Sequence, residues 1–150
     1  MKIAVGCDHA GFSLKETVLN VLKNQKHTVL NCGTNSCERV DFPDFALAAA
    51  QKVVNGEADR AILICGSGVG MCIAANKIKG IRACVCHDAY SAHQAVEHDD
   101  LNVLCLGALV IGPELAEELI KQFLNATFVT GSAYEKRVKK ILAFENAHFK

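Results

Sequence analysis

Proline occurs only twice in 150 residues, at Pro43 and Pro113. That scarcity excludes a proline-rich linker, and neither proline falls inside a helical pattern. No low-complexity segment or internal repeat divides the chain, so its length is read as one domain, residues 1–150, around one core. Charge of one sign is not in excess either: 16 basic and 16 acidic side chains give a formal net charge of zero. Such a balance supplies no strong field for nucleic acid or an anionic membrane, and neither is expected as a partner. No apolar run approaches the roughly 20 residues that span a bilayer. The opening Met1-Lys2-Ile3-Ala4-Val5 lacks the longer apolar region and cleavage site of a signal peptide, so a cytoplasmic location is expected. Also missing are a C-x-x-C pair and any His/Cys cluster with zinc spacing, so no metal is expected.

Cysteine, by contrast, is plentiful, at positions 7, 32, 37, 65, 72, 84, 86 and 105. In a cytosolic α/β chain these read as reduced thiols rather than a disulfide framework. Hydrophobic content of 51% with 21% charged residues fits a soluble globular protein. Short apolar runs predict strands over 2–7, 27–32, 61–65, 82–86 and 102–107. Each lacks polar alternation, as strands covered on both faces do. Amphipathic stretches predict helices over 12–25, 43–55, 69–79, 89–97, 113–125 and 134–146. Asp88 is placed to cap the fourth helix and Pro113 to open the fifth. Strand alternating with helix predicts a parallel sheet with helices on both faces.

The most informative segment is Ile64-Cys65-Gly66-Ser67-Gly68-Val69-Gly70. It reads as strand, tight turn and helix start, with a thiol at the strand tip. Unpaired N–H groups and the positive dipole end of a helix stabilise an anion there. The same field lowers a thiol pKa, which makes Cys65 a thiolate base or nucleophile. The other reading is a buried structural cysteine beside a packing turn. In open α/β sheets ligands bind beyond the carboxyl ends of the strands. Asp8 and His9 fall at that end of the first strand and suit proton transfer; alternatively Asp8 caps the helix beginning at Phe12. His98 precedes the fifth strand, at the opposite end by simple topology, unless a neighbouring subunit brings it to the site. Lys136 and Arg137, with Lys139 and Lys140, read as a solvated helix face or a phosphate site.

Several segments together carry a family resemblance. They are Gly6-Cys7-Asp8-His9-Ala10-Gly11-Phe12, Asp41-Phe42-Pro43-Asp44-Phe45-Ala46, the Cys65 loop, Ile73-Ala74-Ala75-Asn76-Lys77, Gly80-Ile81-Arg82-Ala83 and His98 through Asn102. From residue 2 to about 145 the chain resembles the type B ribose-5-phosphate isomerases and the galactose-6-phosphate isomerase subunits. The resemblance implies a Rossmann-like three-layer α/β/α sandwich with a five-stranded parallel sheet. It also implies a homodimer, or a tetramer, with active sites shared between subunits. The implied reaction is aldose–ketose isomerisation of a sugar phosphate, with ribose 5-phosphate and ribulose 5-phosphate as the expected pair and no cofactor. Cys65 would move the proton through an enediolate, Ser67 would position the reacting oxygens, and N–H groups of Gly66, Ser67, Gly68, Val69 and Gly70 would hold the oxyanion. His98 with Asp8 would open the sugar ring, and His9 would contact the phosphate or a hydroxyl.

The chain also departs from that family. Relatives commonly carry arginines where this sequence has Ser132 and Leu109, asparagine where it has Asp99, and tyrosine where it has Phe42. Lys136 and Arg137 are the remaining cations for a phosphate, and lysine lacks the bidentate fork of arginine. Three alternatives stay open. One is isomerisation of a six-carbon aldose phosphate or an unphosphorylated sugar. The others are a non-catalytic partner subunit and a nucleotide-binding module on the same fold.

Overall fold

A computed structural model describes residues 1–149; Lys150 lies outside them. Five strands, β1 (Lys2–Cys7), β2 (Thr28–Asn31), β3 (Arg60–Cys65), β4 (Ala83–Val85) and β5 (Val103–Gly107), form one sheet in the order β2-β1-β3-β5-β4. Every pairing is parallel. The helices are α1 (Phe12–Asn24), α2 (Phe42–Val54), α3 (Val69–Ala75), α4 (Ala89–Asp99), α5 (Pro113–Asn125) and α6 (Ala133–His148). Among the described residues no helix is long and apolar enough to cross a membrane.

The strands lack polar alternation because both sheet faces are covered. Ile3, Val5, Ile62, Ile64, Leu104 and Leu106 face one layer, packed on Val18 and Leu22 of α1, Val96 of α4 and Leu119 and Phe123 of α5. Ala4, Ala61, Leu63, Cys65, Val103 and Cys105 face the other, against Ala46, Ala49 and Ala50 of α2 and Met71 and Ala75 of α3. This is the expected three-layer sandwich. Small residues on α2 and α3 let that layer approach the sheet closely. The central β1 and β3 are adjacent, and the chain leaves them toward opposite edges of the sheet. The crevice beyond their carboxyl ends is where an open α/β sheet binds its ligand.

Some predicted boundaries move, each for a local reason. The third helix stops at Ala75 rather than residue 79. There Asn76 turns its amide onto the backbone of Ala83, donating to its carbonyl and accepting its N–H, both at 2.8 Å. The fourth helix runs two residues further, to Asp99, and ends on Asp100 at φ 52. His98 is therefore helical, not part of a loop. Asp88 caps that helix by accepting the Ser91 N–H at 2.7 Å, as expected. The sixth helix reaches His148, beyond the predicted 146.

Candidate functional site

Cys65 ends β3 and is 6% exposed, at the inner wall of the glycine loop. The loop turns back on the sulfur: Gly68 N–H donates to Sγ at 3.1 Å. That geometry needs Gly68 at φ +81, a left-handed backbone that glycine adopts without a Cβ clash. Gly107 is required on the adjacent strand, since a Cβ there would stand 2.7 Å from the Ser67 carbonyl carbon. Ser67 is exposed and its Oγ accepts the Val69 N–H at 3.3 Å. Gly68 and Val69 thus spend their N–H groups inside the loop. Among the described residues those of Gly66, Ser67 and Gly70 have no protein acceptor, and they remain for a ligand oxygen. The expected five-donor cradle is therefore smaller than the sequence implied. Leu109, 82% exposed, lies against Gly66, and the Phe42 ring against Gly70. Together they give the loop mouth apolar walls.

Asp8 and His9 follow β1 and stand beside this loop, because Asp8 N–H bonds the Ile64 carbonyl at 3.2 Å. Asp8 is buried, and its Oδ1 accepts the Gly11 N–H at 2.9 Å at the start of α1. That bond braces the turn before α1, whose cap position is Gly11 with no side-chain cap, and the other Asp8 carboxylate oxygen is not engaged by it. His9 Nδ1 accepts the Val40 N–H at 3.3 Å. An acceptor at Nδ1 leaves the neutral ring its proton on Nε2, so His9 presents a donor.

The other expected residues gather elsewhere. His98 and Asp99 end α4, and Ser132, Lys136 and Arg137 begin α6. In a parallel sheet these lie beyond the amino ends of the strands, across the sheet from Cys65. One chain does not bring the two groups together. At this second end His98 stacks on Tyr134, centroids 3.7 Å apart and planes 10° from parallel. The Arg137 guanidinium lies 5.5 Å from the same tyrosine ring. Lys136 and Asp99 are exposed. Arg82 bonds the Asp100 carboxylate at 2.6 Å and stiffens the turn below His98. Ser132 is not a vacant replacement for arginine: it caps α6, its Oγ accepting from Tyr134 and Glu135 N–H. Ser132→Arg is therefore expected to lose about 1 kcal/mol, read as a melting temperature lowered by about 2–4 °C. A calorimetric scan checks this before any gain in phosphate binding is credited.

Three contributors carried no sequence signal of their own. Val40 orders His9 only because the 32–41 segment folds back over β1. Lys15, buried on α1, tethers that segment by bonding the Thr34 carbonyl at 2.6 Å and Asn35 Oδ1 at 3.2 Å. His87, just past β4, accepts the Gly107 N–H at Nε2, 3.0 Å away, and burial lowers its pKa, which keeps it neutral for that bond. Two thiols away from the loop are acidic. A hydrogen bond from Cys105 lowers Cys72 to about 7, and one from Cys86 lowers Cys84 to about 6. Thiol alkylation would label both, so site-directed replacement is the sharper probe of Cys65. Among the described residues no three His, Cys, Asp or Glu side chains converge as metal ligands.

Comparison with known proteins adds to this geometry. Residues 3–141 match the model of the family described as Ribose/Galactose Isomerase. The chain is 46% identical to ribose-5-phosphate isomerase B of Escherichia coli over 96% of both chains. It is 44% identical to D-erythrulose-4-phosphate isomerase 2 of Mycolicibacterium smegmatis, covering 98% of this chain and 99% of that one. The solved structure of ribose-5-phosphate isomerase B from Clostridium thermocellum superposes with a TM-score of 0.95 at 44% identity over 99% of each chain.

Proposed function

The chain belongs to the ribose/galactose isomerase family, and on that premise we propose that it interconverts ribose 5-phosphate and ribulose 5-phosphate. The observation that carries this reading is the Cys65 thiol, held by Gly68 N–H beside a loop with three free N–H donors. A sugar whose C1 oxygen sits on those donors brings C2–H to the sulfur. The Cys65 thiolate takes that proton. The C1 carbonyl oxygen becomes the enediolate oxygen, and the loop N–H groups offset its charge. The proton returns to C1 while the C2 hydroxyl proton passes to the C1 oxygen, which leaves a ketone at C2 and a hydroxyl at C1. Ser67, exposed at the loop crest, orients the two oxygens. His9, donating from Nε2, binds the phosphate or the hydroxyl next to it.

Ribose 5-phosphate is mostly a closed ring, so the ring must open first. Asp8 has a carboxylate oxygen to spare for the anomeric hydroxyl, and His98 is assigned the ring oxygen. His98 stands across the sheet from Cys65 in one chain, so the complete site requires a second copy. We therefore assign the enzyme as a homodimer in which each site takes Cys65, Asp8 and His9 from one chain and His98, Asp99, Lys136 and Arg137 from the other. A cytoplasmic location fits its eight free cysteines.

A four-carbon ketose phosphate is the second reading, favoured by the 44% identical relative named for that substrate. The deciding experiment is initial-rate turnover of purified protein on a panel: ribose, erythrose and galactose phosphates and the free sugars. Ribose 5-phosphate is expected to give the highest kcat/KM. Faster turnover of erythrose 4-phosphate would transfer the assignment to the four-carbon substrate. In the same assay Lys136→Ala is expected to raise KM for the phosphosugar about 10-fold, the effect of one charged hydrogen bond. Inorganic phosphate should compete. A silent Lys136→Ala, with free sugars turned over as well as their phosphates, would remove the phosphate from the proposed substrate.

A further inference from the structure

We propose that Gln94 is a positioning residue for His98, selecting which imidazole nitrogen carries the proton, while Tyr134 fixes the plane of the ring. The inference rests on the ring-opening role assigned to His98 above. Gln94 lies four residues before His98 on α4, the spacing that stacks two side chains on one helix face. Its Nε2 is 2.6 Å from His98 Nδ1. An amide nitrogen only donates, so Nδ1 accepts, and the neutral imidazole holds its proton on Nε2. Among the described residues that Nε2 has no hydrogen-bond partner. The Tyr134 stack removes the remaining freedom of the ring. Neighbouring His93 does not compete for Gln94, since its Nε2 faces Glu97 at 3.3 Å.

The geometry beside the ring suits this role. Gln94 and His98 line a cavity of about 410 Å³ whose other walls include Tyr90, Glu97 and Gln122. Hydrogen-bonding side chains of His93, Glu97 and Gln122 stand on its walls, and His98 lines it already oriented within its own chain. The proton needed at the ring oxygen thus sits on a defined nitrogen before substrate or a second copy arrives, which is what preorganisation requires. A carboxylate at position 94 would do the reverse: an acceptor facing Nδ1 draws the proton onto that nitrogen.

The test reads the tautomer first and the rate second. In ¹⁵N-histidine-labelled protein above the titration of His98, the wild-type ring is expected to be protonated on Nε2. Gln94→Glu moves the proton to Nδ1, and Gln94→Leu gives a mixture of the two forms. Both variants should lower kcat/KM on ribose 5-phosphate by about 10-fold, the loss of one hydrogen bond. Turnover of ribulose 5-phosphate, which cannot close the same ring, should fall much less. A wild-type ring protonated on Nδ1, or a tautomer indifferent to both substitutions, overturns the proposal. So do variants that shift the tautomer yet slow both directions equally. Failure of the underlying reading shows separately: His98→Asn would then run at the wild-type rate in both directions while the nitrogen resonances respond as expected, and the proposal would fall through its premise.

Discussion

Cys65→Ala is expected to abolish isomerisation while leaving the protein folded. A positioned acid or base contributes on the order of 10²–10⁴-fold, so kcat should fall at least about 100-fold with every aldose phosphate tried. The fold does not depend on this sulfur. Its loss removes one small buried group and one bond, from Gly68 N–H. A cost of about 1 kcal/mol would lower the melting temperature by only about 2–4 °C in a chain this size. Substrate binding, read by calorimetry, should persist because the N–H donors of Gly66, Ser67 and Gly70 remain. Cys72→Ala is the comparison. Cys72 lies one helical turn on and bonds the Ala83 carbonyl at 3.4 Å, away from the loop mouth. If Cys65→Ala keeps more than about a tenth of wild-type kcat, Cys65 is not the base, and the buried structural reading of that cysteine takes its place.

His98→Asn is expected to separate ring opening from proton transfer. Ribose 5-phosphate closes a five-membered ring through O4, whereas ribulose 5-phosphate would need O5, which carries the phosphate. The substitution should slow the aldose direction by about 10²-fold and change the first turnover of the ketose much less. Erythrose 4-phosphate sharpens the test. Its O4 is phosphorylated, so it has no furanose to open, and His98→Asn should leave its isomerisation near the wild-type rate. Equal losses on all three substrates would deny His98 the ring-opening role and would make it part of the general binding surface. Mixing His98→Asn with Cys65→Ala probes the shared site. If each site draws one residue from each chain, some mixed dimers contain one intact site, and activity reappears from two inactive proteins. No recovery after subunit exchange would argue that each chain works alone.

Much of the fold was legible in the residues because it depends on local chemistry. Apolar runs mark β1, β3 and β5, and the helices follow from their amphipathic spacing and from Asp88 and Pro113 at their starts. The Cys65 loop was legible for the same reason: Gly68 at φ +81 is a backbone requirement that writes itself as glycine. Helix ends were less legible. Asn76 leaves α3 early to bond Ala83, seven residues later, and nothing within the helix foretells that partner.

The donor count at the loop and the tautomer of His9 were decided by the tertiary structure alone. Sequence names Gly68 and Val69 as N–H donors but cannot say that they are consumed by Cys65 and Ser67. It places His9 after a strand but cannot bring Val40, 31 residues later, onto Nδ1. It writes Ser132 where a cation was expected but does not reveal the cap that serine forms. What the chain alone determined is therefore the parallel sandwich and the thiol on a glycine turn at the tip of β3, since both follow from side-chain periodicity and backbone freedom. What the tertiary structure decided is how those groups are aimed. A hydrogen bond between distant segments depends on strand order and layer packing, which no local pattern of residues encodes.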